Sequence, residues 1–428
     1  MITQYPLGSQ SFSLADGAQL SAFGKLNVTT THTIFDCQNE YGLDTLRIWD
    51  AAANGSLATG STNGSVTSGS NAVGPTNTDS RMTPITVSAT DTHYSVIQSR
   101  QYCRYIPGKG NVTFITGVFA AGAAATASFV WRTKVSGSIV DTVVAQSSWS
   151  VDHFDGTGPS GVTLDFTKIQ ILVIDAQMLY AGRVRVGFDV DGILYWAHYF
   201  SIANNYALPA VQTYNLPVRI DARTTASATT FDWGRFDANN GIFFRTSRAS
   251  LGGTAYYECC SVQNNGDEEL RGFPVTSPAG IVTTGVTTRR PIMSIRPKAT
   301  YNSLTNRGHI EDVEVLLRAT TNDSFYEIVI GGTLTGAAWT SSGTRAITEY
   351  DTTATAISGG DTLLSGFVIS GAGSSAGSTI RSSDSRSPLT LSQIDALTAT
   401  QTPLTLVCTS FSGTSNVTAI MNWHEQTV

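Results

Sequence analysis

Turn residues interrupt this sequence too often for long helices. Runs such as Tyr94–Gln98, Val112–Thr116, Ser128–Arg132 and Ile139–Val144 are rich in β-branched and aromatic residues and stop after strand-length distances, with Gly, Asn, Asp or Pro between them. The strongest signal is Arg183–Val190, where Val184, Val186, Phe188 and Val190 alternate with Arg183, Arg185 and Asp189. Asp191-Gly192 then supplies a two-residue turn, and Ile193–Phe200 returns as an aromatic strand. No segment carries a sustained helical or heptad repeat. The pattern predicts an all-β protein: an antiparallel, jelly-roll-like β-sandwich with a second, smaller β domain.

With 428 residues, the chain has room for more than one core. Residues 1–80 read as an N-terminal attachment element: strand-like pieces and the apolar group Phe35, Leu46, Ile48 and Trp49, then a Gly/Ser/Thr/Asn-rich arm over 51–75 that has little to bury. Residues 81–310 read as the main sandwich, with the β-branched run Ile171–Ile174 assigned to a strand. Residues 311–428 read as the C-terminal β domain, with a short helix at Ser392–Leu397 and a closing strand from Asn416.

Charge excludes one large class of function. The net charge is -6, and beyond Thr321 eight acidic residues face three arginines and no lysine, so no field collects nucleic acid. Upstream, Arg183, Arg185, Arg219, Arg235 and Arg245 stand singly among apolar residues. Five cysteines, mostly far apart, do not read as a disulfide framework, and buried thiols acting as small hydrophobes fit better. Residues 1–12 lack a basic, then apolar, leader pattern, and Gly117–Val130 is too short to span a bilayer, so neither secretion nor membrane insertion is expected.

Three candidate sites stand out. Asp152, Asp155 and Asp165 flank the multiple-turn loop Asp155–Gly161; they suit turn capping first and a calcium site second, because their spacing does not match a hand-type calcium loop. Tyr195, Trp196 and Tyr199 on the returning strand are candidates for stacking on a glycan, or for core. An enzymatic alternative, a polysaccharide hydrolase, would need two carboxyl groups across a cleft, and Asp175, Asp189 and Asp191 are the nearest set. His198 reads as a hydrogen-bonded histidine on the same strand face as Trp196 and Phe200. No cofactor motif is present, so none is expected.

Several segments in order carry a resemblance: Arg104–Gly110, Trp149–Phe166, Ile169–Asp175, Gly182–Phe188, His198–Phe200, Ala203-Asn204 and Asn215–Arg219. Together they resemble a family of tailed-bacteriophage virion structural proteins found among phages of aquatic bacteria. The likeness covers roughly residues 95–425 and leaves the first ninety outside. It implies membership of the virion; it does not choose between head, neck and tail, or between a capsid decoration and a fibre. It also implies contacts with other virion proteins and a homo-oligomer, with trimers favoured. Receptor binding to a host-surface glycan is the alternative role.

Overall fold

In the computed structural model the described residues are 31–54 except 41, 45 and 46; 81–370 except 91, 107–108, 120–125, 177–180, 214, 266–272 and 279–280; 401–426; and the strands at 3–7, 10–14, 19–20, 26–27, 66–68, 71–73 and 378–381. Strands dominate, every strand pairing is antiparallel, and the one helical piece among these residues is a 3-10 turn at Gln146–Ser148. The short helix expected at Ser392–Leu397, and most of the Gly/Ser-rich arm, lie outside the described residues.

Two sheets enclose the first core. A seven-stranded sheet runs in the order Ser138–Ala145, Thr126–Val135, Gly241–Arg248, Ala228–Phe236, Val218–Thr225, His93–Ser99, Ile48–Asn54. The facing sheet begins at its edge with Ile193–Ser201, followed by Arg183–Val190, Ile169–Ala176, Asn111–Val118 and Gly253–Asn265. That last strand is long enough to hold two partners on its far side: Thr83–Val87 along one half and Thr31–Gln38 along the other. Alternation explains the filling. Phe129, Trp131, Phe231, Trp233 and Phe244 point inward from one sheet, and Ile115, Leu172, Val184, Val186 and Phe188 from the other. Phe119, Phe188 and Phe244 make a ring cluster, with Phe119 edge-on to Trp233 at 4.7 Å. Arg235, 4% exposed, lies between the sheets and donates to Asn111 Oδ1 (2.6 Å), Thr113 Oγ1 (3.3 Å), and the carbonyls of Leu216 (3.0 Å) and Cys103 (3.3 Å).

The Arg183–Phe200 hairpin forms with Asp191 and Gly192 both at positive φ, 55° and 78°, as a two-residue turn of matching twist requires. One feature differs from simple alternation. Val186 pairs with His198 but Gly187 pairs with Trp196, so Ala197 is an extra, bulged residue. A Cβ on Gly187 would sit 2.1 Å from the Tyr195 carbonyl oxygen, which is why glycine stands opposite the bulge.

Residues 31–54 are part of this sandwich. Phe35, Cys37 and Ile48 lie in the main core, and Trp49 joins Ala51, Tyr94 and Val96 in a satellite cluster on the outer face. The described residues of 31–54 are therefore structural strands of the sandwich and not an arm outside it. Among the described residues, the strands ahead of them pair with one another, Thr3–Leu7 with Gln10–Leu14 and Gln19–Leu20 with Leu26–Asn27.

A second core begins earlier in sequence than residue 311. Ser415–Gln426 is a central strand, paired on one side with His309–Ala319 and on the other with Phe273–Thr276 and Ile281–Val286. A six-stranded sheet centred on Arg290–Pro297, Leu404–Ser410 and Ser324–Ile330 faces it, and Ile292, Val315, Ile328, Leu406, Met421 and Trp423 fill the space between. Strands Phe273–Thr276, Ile281–Val286 and Arg290–Pro297 belong to this core, where Val286, Ile292, Met293 and Ile295 are buried and Val275 and Ile281 pack against the same cluster. Arg307 reaches back, pairing with Asp237, donating to Asn215 O at 3.3 Å and lying over Tyr102.

Candidate functional site

The outer face of the seven-stranded sheet carries charge in an ordered array. Arg219, Asp221 and Arg223 alternate along one strand with Val218, Ile220 and Ala222, so that the apolar set enters the core and the charged set faces outward. The register then places Tyr94 and Thr230 on either side of Arg223, and Asp232 directly opposite Asp221, with Arg245 beyond Asp232. Like charges facing each other across strands repel. Cations resolve the conflict: Arg245 grips Asp232 through two bonds of 2.6 and 2.8 Å, while Asp221 accepts from Arg219 at 2.7 and 3.2 Å and from Arg223 at 2.5 Å. At the sheet edge Arg132 holds Asp141 with two bonds of 2.8 Å. Beneath this layer lie Val130, Phe236 and Phe243, fully buried on what is formally the outer face; Arg132 and Arg245 cover Phe243, and Arg219 covers Phe236.

These groups surround a cleft of about 450 Å³, lined by Arg132, Arg223 and Arg245, by Asp232, by Thr92, Thr224, Thr225 and Thr230, and by His93 and Tyr94. Its size falls within the usual range for ligand sites, and its lining residues are charged or polar, although most of the surface they expose to the cleft is carbon. Burial by itself would raise the Asp221 carboxyl; Arg219 and Arg223 outweigh it and hold the group below the usual carboxylate range. Asp141 follows the same balance, with Arg132 and Arg245 overcoming burial. A depressed folded-state pKa means that the unfolded chain takes up protons first as pH falls. The stability these two carboxylates contribute is thus whole above about pH 4 and is lost as the pH drops through their folded values. Urea midpoints measured from pH 7 to pH 2.5 should be flat at first and fall steeply below about pH 4; a midpoint unchanged at pH 3 would contradict the ion-pair array.

The carboxylates singled out in the sequence are not brought together. Asp152 is buried, and its two oxygens accept from the backbone N–H groups of Phe154 and Ser160, both at 2.7 Å. Asp155 and Asp165 each cap their own turn, accepting from the N–H and hydroxyl of Thr157 and Thr167, bonds that hold both carboxyls below the usual range. This arrangement fits turn capping. Among the described residues no group of three His, Cys, Asp or Glu is gathered as a metal would need.

For the hydrolase reading, Asp175 is tied to Arg185 at 2.8 Å, Asp189 caps the Gly192 N–H at 3.0 Å, and Asp191 is in the turn itself. Asp175 and Asp189 stand four rungs apart on neighbouring strands, about 13 Å by strand rise, beyond the spacing glycosidases use. Burial pushes the Asp175 carboxyl up, and Arg185 opposes it.

The bulge at Ala197 redistributes the aromatic residues. Trp196 and Tyr199, of opposite parity in sequence, come to one outer face, each ring covered by a guanidinium: Arg185 over Trp196 at 4.4 Å and Arg183 over Tyr199 at 4.7 Å. Tyr195 sits opposite Phe188 and packs against the main core. His198 therefore does not share a face with Trp196; it accepts from the Ser150 N–H at 3.1 Å, and burial lowers its pKa. All five cysteines are free thiols, four of them buried, and burial pushes Cys37 and Cys408 up to about 12. No helix among the described residues is long and apolar enough to cross a membrane.

No family model matches the sequence, and no curated protein matches it. Among solved structures, the CBM2 module of the evolved Dit of Lactobacillus casei BL23 phage J-1 aligns over 56% of this chain and 99% of its own, at 9% identity and a TM-score of 0.20. A Bacillus licheniformis β-glucanase aligns over 56% and 100%, at 10% identity and a TM-score of 0.18. A Bauhinia forficata lectin in complex with GalNAc aligns over 56% and 100%, at 10% identity and a TM-score of 0.17. Likenesses this remote assign no activity to the chain.

Proposed function

We propose that this chain is a structural component of a bacteriophage virion that assembles through protein–protein contacts and performs no covalent chemistry of its own. The ordered resemblance of its segments to virion structural proteins supports the particle, and one surface supports the assembly. Among the described residues, Ser138–Ala145 ends the seven-stranded sheet with no strand paired to its far edge. Natural sheets protect such edges with lysine, proline or bulges. Here Ile139, Val140 and Val143 are 51%, 44% and 54% exposed, on both faces of the strand, and the single charged residue, Asp141, is already held by Arg132.

The occupant that suits this edge is a second copy. Pairing the strand antiparallel with itself about a two-fold axis perpendicular to the sheet at Thr142 sets Val140 against Val144, Asp141 against Val143 and Ile139 against Ala145, with no like charges opposed. The contact extends one sheet into the next and is isologous, so it supports a dimeric unit; a trimer would need a heterologous contact elsewhere. The double variant V140K/T142K introduces charge where both side chains are exposed and opposes like charges at position 142, so the fold is retained while association weakens at least about tenfold. Sedimentation equilibrium should give an even-numbered oligomer for the native chain and a monomer for the variant. A native chain that remains monomeric at tens of micromolar would overturn the reading.

A further inference from the structure

We infer that the cleft on the outer face of the seven-stranded sheet is a binding site for an acidic saccharide unit, a ring bearing one anionic group flanked by hydroxyls. The inference is independent of how the chain assembles, since it rests on the charge and the lining of the cleft. Four arginines (132, 219, 223 and 245) meet three aspartates (141, 221 and 232) in one array, which leaves a single positive charge in excess. That excess is available at Arg223. Its side chain is 39% exposed where Arg219 beside it is 3% exposed, and its bond to Asp221 occupies one Nη2 donor of a five-donor guanidinium. An anion held there receives charge-assisted bonds without displacing Asp221 from Arg219.

The rest of the lining sets the ligand class. Among the described residues no Leu, Ile, Val, Met or Phe side chain borders the cleft; four threonines do, with the Tyr94 ring at one side. The surface these residues expose is mostly the carbon of their side chains and of the Tyr94 ring, which suits the C–H face of a sugar, while its hydroxyls have Thr225 and Thr230 on adjacent strands, next to Arg223 and Asp232. One excess charge suits a monoanion and does not suit a nucleic-acid backbone. A uronate carboxylate and a sugar phosphate share this chemistry.

Titration calorimetry on the full chain would use methyl glucuronide, glucose 1-phosphate, methyl glucoside and inorganic phosphate as probes. One or both anionic sugars should bind, and which of them does identifies the anionic group; methyl glucoside and inorganic phosphate should bind at least about tenfold more weakly, and raising the salt should weaken the anionic sugars. Arg223→Gln should lower affinity for the anionic sugar about tenfold or more, while Arg183→Gln on the opposite sheet leaves it unchanged. Arg223→Lys keeps the charge and should recover part of the loss, which separates a charge effect from a folding defect. Equal binding of methyl glucoside, binding of inorganic phosphate alone, no binding of either anionic sugar at millimolar concentration, or native affinity in Arg223→Gln would each overturn the proposal.

Discussion

Replacing Phe244 with alanine should destabilise the first sandwich by about 3–5 kcal/mol, the largest loss expected of any single core substitution here. The ring is fully buried and lies 5.2–6.4 Å from five others: Phe119, Phe129, Trp149, Phe166 and Phe188. Those partners come from both sheets and from the loop between Ala145 and Ile169, so the cavity touches every layer that closes the core. The surroundings are rings in fixed mutual orientation and cannot collapse into the space, and each lost edge contact adds to the area term. Urea denaturation followed by tryptophan fluorescence measures the effect. Two transitions are expected, because Trp149 and Trp233 report on one core and Trp423 on the other. The first should move to lower urea while the second stays in place. A loss below about 1 kcal/mol would mean that the core is looser than its geometry implies.

Truncation from the N-terminus should give a sharper, two-valued result. Removing residues 1–30 deletes strands that, among the described residues, pair with one another and with no strand of the sandwich, so the remaining chain should stay soluble, β-rich and resistant to protease, with a melting temperature within a few degrees of the native value. Removing residues 1–54 deletes Thr31–Gln38 and Ile48–Asn54, strips a partner from half of Gly253–Asn265 and from His93–Ser99, and takes Phe35, Cys37, Ile48 and Trp49 out of their clusters. Four buried apolar side chains at about 1.5–3 kcal/mol each approach the whole stability of an ordinary domain. The longer truncation should therefore be insoluble or unfolded by circular dichroism. If the two truncations behave alike, residues 31–54 are not the structural strands assigned to them.

Local signals in the sequence are enough for the hairpin at Arg183–Phe200. Its alternation is uninterrupted, and Asp191-Gly192 allows the two positive φ angles of a tight turn. The role of residues 31–54 is not legible in the same way. Phe35 and Trp49 are apolar islands in a polar stretch, and what buries them is a strand more than two hundred residues later, Gly253–Asn265, together with His93–Ser99. A local reading sees an arm because the other half of its core is remote in the chain. The boundary near 311 fails for a related reason. Strands from Phe273 onward look like their predecessors, and only the central placement of Ser415–Gln426 assigns them to the second core.

The candidate cleft was present in the sequence as fragments. Arg219, Arg235 and Arg245 stand singly, yet they take different positions: Arg219 and Arg245 join the ion-pair array, Arg235 is buried between the sheets, and Arg183 and Arg185 go to the opposite sheet over Tyr199 and Trp196. The available clue was the alternation Arg219-x-Asp221-x-Arg223 against an apolar second set, repeated more weakly in Thr230-x-Asp232. Charges at period two on a strand whose other face is core must meet the charges of neighbouring strands, but which ones they meet depends on register. The aromatic strand carried less information than its composition suggested. One bulged alanine put Tyr195 inside and moved Tyr199 beside Trp196, and a single bulge residue leaves no local pattern to read.

Electron cryomicroscopy of the intact phage particle, at a resolution that separates strands, would locate both the chain and its edge strand. This chain is expected in the virion with Ser138–Ala145 lying antiparallel to the same strand of a neighbouring copy, so that two seven-stranded sheets continue across a two-fold axis. A particle that lacks the chain, or one in which that edge faces solvent in every copy, would contradict it.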